Sequence, residues 1–354
     1  MKILAIETSC DDTAVAIVED GLRVLTNLVA SQEKLHAQFG GIVPEVASRQ
    51  HLEAIYPLVQ LALSKTKLNP AKIDAIAVTT NPGLLGSLLV GVSAAKTLGY
   101  LWNKPVIGVN HLLGHIYAGW LGGEKIQYPL VSLVASGGHS EIVLTRREGE
   151  YKYVGGTRDD AAGEAFDKVA RLLKLGYPGG PAVAAAAANA QSPISNRGTG
   201  QGLLRQIPNS KFDVKLPRPM MDEDNFDFSF SGLKTAVSRL ITNNQSPITK
   251  ANIAYEFQEA VVEVLGKKLF AAAGNYNAKT VLIGGGVAAN KRLREEVARL
   301  ASKAGVKLII PEFKYCTDNA AMVGAVAYNR YEGRMGCVLP PSAVGKSQSL
   351  QSSD

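Results

Sequence analysis

A plan of strand, polar turn, returning strand, helix, strand, glycine-rich turn and helix runs twice along this chain, and a repeat of that kind dictates two similar lobes with a cleft between them. In the first copy, residues 2–7 read as a strand, TSCDDT as the turn and 14–19 as the returning strand, with a third strand at 23–30. A helix over 46–65 carries Ile55, Leu58, Val59 and Ala62 on one stripe. A strand at 73–79, the turn NPGLLGS, a helix to about 102 and a strand at 105–109 complete the unit. The second copy has strands at 130–135 and 141–146 around SGGHS, helices at about 160–175 and 253–273, and a strand at 280–283. It ends with the turn GGGVAAN, a helix at 291–303, a strand at 306–310 and the helical CTDNAAMVGAVAYNRY. The expected fold class is therefore α/β, with the first lobe at 1–126 completed by a helix at about 318–335 and the second lobe at 127–317. The second lobe carries a Pro/Gly/Asn-rich insertion at about 177–228, and the Ser/Gln-rich tail from 340 to 354 reads as disordered.

With 46% hydrophobic and 19% charged residues in 354, the chain can bury real cores. A net charge of +7 fits contact with nucleic acid without establishing it. Cys10, Cys316 and Cys337 have no paired spacing, which argues against a disulfide framework and points to the cytoplasm. MKILAIETSC lacks the apolar core of a signal peptide. No apolar run is long enough to span a bilayer, so no membrane role is expected.

The turns carry the candidate chemistry. ETSCDDT offers hydroxyls and backbone N–H groups to a phosphate, or Asp11 and Asp12 to a cation; its other reading is an ordinary polar turn. Ser136-Gly137-Gly138-His139 lets backbone approach a ligand, or is a tight hairpin. Gly284-Gly285-Gly286 between strand and helix suits an anion, and Asn290 beyond it either reaches a nucleoside or caps the helix. Asp160, Glu164 and Asp167 fall three or four apart, on one side of the expected helix.

His111 and His115 stand four apart in NHLLGH, directly after a strand. Two imidazoles at that spacing share a helix face and suit one metal ion, the other reading being a polar surface pair. Asp318 is either the N-cap of the last helix, with Thr317 as rival, or a third ligand, with Cys316 as competitor. Two imidazoles and a carboxylate leave coordination positions open, as reactive iron or zinc centres do. A zinc peptidase with this spacing has a Glu after the first His as general base, whereas Leu112 stands here.

Taken together, ETSCDDT, YPLVSLVASGGHS, GGTRDDAAGEAFDKVARLLKLGYPGGP, FSFSGLKTAV, GGGVAANKRLR, CTDNAAMVG and NHLLGH resemble the TsaD family of tRNA threonylcarbamoyladenosine biosynthesis proteins, also called glycoprotease-like. The resemblance implies two RNase H-like lobes in the actin-like, sugar-kinase and heat-shock-ATPase fold around a nucleotide cleft. It implies transfer of a threonylcarbamoyl group from threonylcarbamoyl-AMP to the exocyclic amine of adenosine 37 in tRNAs reading codons that start with A. It implies His111, His115 and Asp318 as ligands of one divalent metal, iron ahead of zinc. Val134, Ala135, Ser136, Gly137, Gly138, Asp167, Gly180 and Asn290 follow as contacts to the adenylate, and Asp11 or Asp12 as the group that relays the amine proton. Partners implied are tRNA, a TsaB-like paralogue and a TsaE-like ATPase. The segment HAQFGGIVPEVASRQH also matches the family and is expected to border the cleft or a partner surface. Two departures stand out: CDD in place of an Asp-Glu pair, and a longer stretch at 184–215. Lys291-Arg292-Arg294 and Lys215-Arg218 are candidate tRNA contacts.

Overall fold

The computed structural model describes residues 1–190, 215–242 and 249–331. Strands β1 (Lys2–Glu7), β2 (Asp12–Glu19), β3 (Arg23–Ser31), β4 (Ala75–Asn81) and β5 (Val106–Asn110) form one sheet in the order β3-β2-β1-β4-β5. Between and after them lie α1 (Glu33–Ala37), α2 (Pro44–Thr66), α3 (Leu85–Trp102) and α4 (His111–Tyr117). Strands β6 (Leu130–Ala135), β7 (Ser140–Arg147), β8 (Glu150–Gly156), β9 (Thr280–Gly284) and β10 (Lys307–Ile309) form a second sheet, β10-β9-β6-β7-β8. Its helices are α5 (Ala162–Leu173), α6 (Gly179–Ala188), α7 (Ser231–Thr242), α8 (Lys250–Asn275) and α9 (Lys291–Ala304), and α10 (Ala320–Tyr331) follows β10. In both sheets the first strand pairs antiparallel with the second and parallel with the fourth, so the duplication read from sequence is a duplication of topology.

The differences from the sequence reading are local. β8, the counterpart of β3, does not stand out in EYKYVGG because an edge strand with mixed exposure lacks a clean two-residue period. Helix α6 grows from the Ala-rich run inside the expected insertion. Helix α5 begins at Ala162, so Asp160 precedes it and the three acids do not share one helix face; Lys168 instead joins Asp160 at 2.6 Å and Glu164 at 2.9 Å. Most of 184–215, the tail at 340–354 and Cys337 lie outside the described residues.

Strand alternation sorts the core. On one face of the first sheet Leu4, Ile6, Val15, Ile17, Ile76 and Val78 meet α2 and α3. The other face is built from small residues, Ala5, Ala14, Ala16, Ala75 and Ala77, and α10 lies close against it. The approach is tight at Gly324, where a Cβ would come within 2.7 Å of Val18. The same apolar cluster continues through α4 to Val134, Val143 and Leu282, and so ties the two sheets together. Among the described residues no helix is long and apolar enough to cross a membrane.

Glu141, near the start of β7, is buried, and its Oε2 has no hydrogen-bond partner among the described residues. Burial alone pushes its carboxyl up from 4.5 to about 7. Below 4.5 the acid is protonated in both folded and unfolded chains and costs nothing. As pH rises from 4.5 through 7 the unfolded chain releases the proton first, so stability falls and then levels off. At about 1.4 kcal/mol per tenfold change in proton affinity, Glu141→Gln is expected to gain about 3 kcal/mol at pH 8 and about 1 at pH 5. Urea unfolding at the two pH values measures this, and an equal gain at both contradicts it.

Candidate metal centre

Asn110 ends β5 and caps α4, its Oδ1 accepting from the Leu113 N–H at 3.1 Å. The cap starts the helix at His111 and puts His115 one turn on, with ring centroids 4.6 Å apart. Asp318 arrives from the far end of the chain. Its Oδ1 lies 3.4 Å from His111 Nε2 and 3.3 Å from His115 Nε2, and the candidate ligand atoms of the three residues lie within 4.8 Å of one another. Asn319, not Asp318 or Thr317, accepts from the Met322 N–H at 3.0 Å as the helix cap. Cys316 is buried elsewhere, with the Arg294 guanidinium 2.9 Å from its sulfur, and is no rival ligand.

The electrostatics suit a cation. Burial opposes the charge on Asp318, but the two imidazoles hold its carboxyl well below the ordinary range. Burial also opposes charge on His111, and the carboxylates of Asp318 and Glu7 outweigh it, holding this imidazole well above its usual value. Burial keeps His115 low against the pull of Asp318, and its Nδ1 has no hydrogen-bond partner among the described residues. Buried imidazole nitrogens aimed at a shared carboxylate fit a divalent ion with open positions.

Around this centre the polar turns converge. Ser136, Gly137 and Gly138 form the β6–β7 turn, closed by the Ser136 N–H on His139 O at 2.7 Å. Val134 and Ala135 are core residues of β6, their side chains entering different apolar clusters, so only their backbone can meet a ligand. Gly163 packs on this turn, its N–H donating to Ser136 O at 3.1 Å, and Gly285 packs on Ala135 O. Asp167, on α5, accepts from the Gly179 N–H at 2.7 Å, and Gly180 beside it faces open space. Of the two readings for Asn290 the structure shows the cap: its Oδ1 accepts from Leu293 N–H at 3.0 Å, while its Nδ2 donates to Gln258 Oε1 at 2.9 Å. From the first lobe come Asp11, raised by burial and by Asp318, and Asp12, raised to about 7 by burial and by Asp11 and Asp318.

The segment at 36–51 borders this cleft. His51 donates from Nε2 to Cys10 O at 3.0 Å and accepts from Thr13 Oγ1 at 2.7 Å, which fixes the β1–β2 turn. Gly40 O accepts from the Arg171 guanidinium of α5.

Three residues of the site have no role of their own in the sequence reading. Glu7 bonds His111. His139 lies close enough to His111 and His115 that burial and their charges depress it to about 4. Tyr177 is raised by burial and by the charges of Asp11 and Asp167. All three sit inside quoted motifs, ETSCDDT, SGGHS and GYPGGP, but nothing local there announces their partners. Conversely, three basic candidates have internal partners. Arg292 forms a fork on Glu259 at 2.7 and 2.8 Å, Arg218 holds Glu256 and Glu263, and Arg294 donates to Ala288 O and Pro311 O. Lys215 and Lys291 stay exposed.

The model of the tRNA N6-adenosine threonylcarbamoyltransferase family (TsaD) matches residues 23–325. A tRNA N6-adenosine threonylcarbamoyltransferase of Syntrophomonas wolfei is 49% identical over 98% of both chains. Its namesake from Kosmotoga olearia is 48% identical over 93% of each. Among solved structures, HypF of T. kodakarensis has a TM-score of 0.62 at 12% identity over 94% of this chain and 48% of that one, a likeness of the actin-like ATPase fold.

Proposed function

The chain belongs to the tRNA N6-adenosine threonylcarbamoyltransferase family, and from that premise we propose that it moves a threonylcarbamoyl group from threonylcarbamoyl-AMP to the exocyclic amine of adenosine 37 in tRNA, releasing AMP. The full-length identity to enzymes of that name carries this reading. Adenine's exocyclic amine is a poor nucleophile because its lone pair is delocalised, so the acyl donor has to arrive activated as a mixed anhydride. The amine nitrogen bonds to the carbamoyl carbon, the carbon–oxygen bond to phosphate breaks with its electrons going to AMP, and the amine proton leaves to a base.

Each part has residues suited to it. The Gly137-Gly138 and Gly285-Gly286 turns offer backbone to the AMP phosphate, with Asp167, Gly180 and Asn290 flanking the nucleoside. His111, His115 and Asp318 would hold a divalent metal, iron ahead of zinc, which when bound polarises the carbamoyl oxygen. Asp12, at about 7, is matched to take a proton near neutral pH, with Asp11 beside it. A peptidase is disfavoured: Leu112 follows His111, and Glu7 meets the Nδ1 side of that ring, away from Nε2.

The lobes are residues 1–126 with α10, and 127–317. Exposed Leu52 and Tyr56 on α2, with Leu85, Leu89 and Tyr100 on α3, form an apolar face suited to a TsaB-like paralogue. A TsaE-like ATPase in the cytoplasm completes the assembly. The test is purified chain with partners, tRNA, metal and threonylcarbamoyl-AMP, read by nucleoside mass spectrometry; no modified adenosine refutes the reading. In this assay Asp12→Asn is expected to slow transfer by about 10²–10⁴-fold while adenylate binding persists. The parent rate should rise as pH passes through about 7, where the base ionises, and the variant should lose that limb. A variant rate within tenfold, with the limb intact, shifts the role to Asp11.

A further inference from the structure

We propose that Glu7 is a positioning residue that selects the nitrogen His111 presents to the metal; this rests on the metal centre proposed above. Glu7 ends β1 on the row of Ile3 and Ala5, the face covered by α10 and α4, and is fully buried. Every contact of its carboxylate is a donor. Oε1 accepts from the Ser9 N–H at 2.5 Å, and Oε2 accepts from Thr79 Oγ1 at 2.5 Å and from His111 Nδ1 at 3.1 Å. Donors from the β1–β2 turn and from β4 thus hold the carboxylate still while it meets the ring. An imidazole that donates from Nδ1 keeps its lone pair on Nε2. Nε2 is the atom that faces Asp318, the carboxylate His115 Nε2 also meets.

Ser9 Oγ also lies 3.1 Å from Nδ1, but a hydroxyl accepts or donates and so does not discriminate between tautomers. The carboxylate does. Its charge also makes Nε2 a stronger donor to a cation, the usual effect of a carboxylate behind a metal-bound histidine. His115 has no such support among the described residues. The centre is therefore asymmetric: His111 is the anchored ligand, and His115 is aimed by packing alone.

The experiment uses the full chain stripped of metal and titrated with Zn(II) and Co(II). Glu7→Gln keeps size and one acceptor but brings an amide donor against Thr79, Ser9 or His111. It is expected to weaken binding of both ions by about 10–100-fold and to change the Co(II) absorption spectrum, with unchanged circular dichroism. Imidazole ¹⁵N NMR of the Zn(II)-loaded parent should show His111 protonated at Nδ1 with Nε2 taken by the ion, a reading that holds even where the variant fails to fold. Equal affinity and an unchanged Co(II) spectrum in Glu7→Gln, with loss of binding in Asp318→Ala, overturn the role of Glu7 alone. Equal binding by the parent and Asp318→Ala overturns the metal centre and Glu7's role with it. A His111 ring in the Zn(II)-loaded parent that is protonated at Nε2, with Nδ1 taken by the ion, also overturns it.

Discussion

Asp318→Ala is expected to remove bound metal and tRNA modification together while the fold stays intact. Among the described residues Asp318 is the one carboxylate that both imidazoles share, its Oδ1 lying 3.4 and 3.3 Å from their Nε2 atoms. Losing a supporting group behind a ligand costs about 10–100-fold in affinity, so losing a ligand of a three-residue set should cost more. The fold has no comparable stake, because Asn319 caps α10 and the helix itself is held by Ala and Val residues against the first sheet. His111 loses one counter-charge but keeps Glu7 at 3.1 Å. A ligand that binds only the folded chain stabilises it by about 2.7 kcal/mol at a hundredfold excess over its dissociation constant. Zn(II) should therefore raise the melting temperature of the parent and leave that of Asp318→Ala unmoved. Metal content, melting with and without Zn(II), and nucleoside mass spectrometry make the test; full modification by the variant refutes the metal's role.

The reach of sequence reasoning follows from which signals are local. The short apolar run of KILAIE and the glycine turns at 136–138 and 284–286 are visible within a few residues, and each of the two five-stranded sheets is built from the repeat they announce. The His111–His115 pair is visible for the same reason, being a property of one helical turn. Asp318 presents two competing jobs in sequence, ligand and cap, and the choice depends on Asn319 taking the cap. Glu7 is silent because its partner lies 104 positions away and nothing about a strand's last residue announces a histidine. The same limit explains the arginines. In sequence Arg292 and Arg294 look free to meet tRNA, whereas Glu259 on α8 and the carbonyls of Ala288 and Pro311 hold them. Long-range pairing of charges is decided by packing, and single-sequence patterns carry no record of it.

Gly285→Ala is the second substitution expected to have a large effect, and here the cost falls on the fold first. Gly285 has φ +86 and ψ 166, a region open to glycine and almost closed to side chains. A Cβ there would lie 2.3 Å from Ala135 O and 2.7 Å from Ala135 C. That backbone cannot yield, because Ala135 is held in the β6 ladder opposite Ser140. Backbone strain of about 1–3 kcal/mol adds to the clash, for a loss on the order of 3–5 kcal/mol. The turn after β9 should move away from the SGG turn, and adenylate binding should fail with it. Gly286→Ala separates the two causes, since nothing lies within 4 Å of a Cβ there and its φ is not positive. It should unfold within about 1 kcal/mol of the parent in urea. If Gly286 backbone approaches the phosphate, this stable variant should still bind the adenylate poorly. Parent-like stability in Gly285→Ala contradicts the packing argument, and parent-like adenylate affinity in Gly286→Ala removes that glycine from the phosphate cradle.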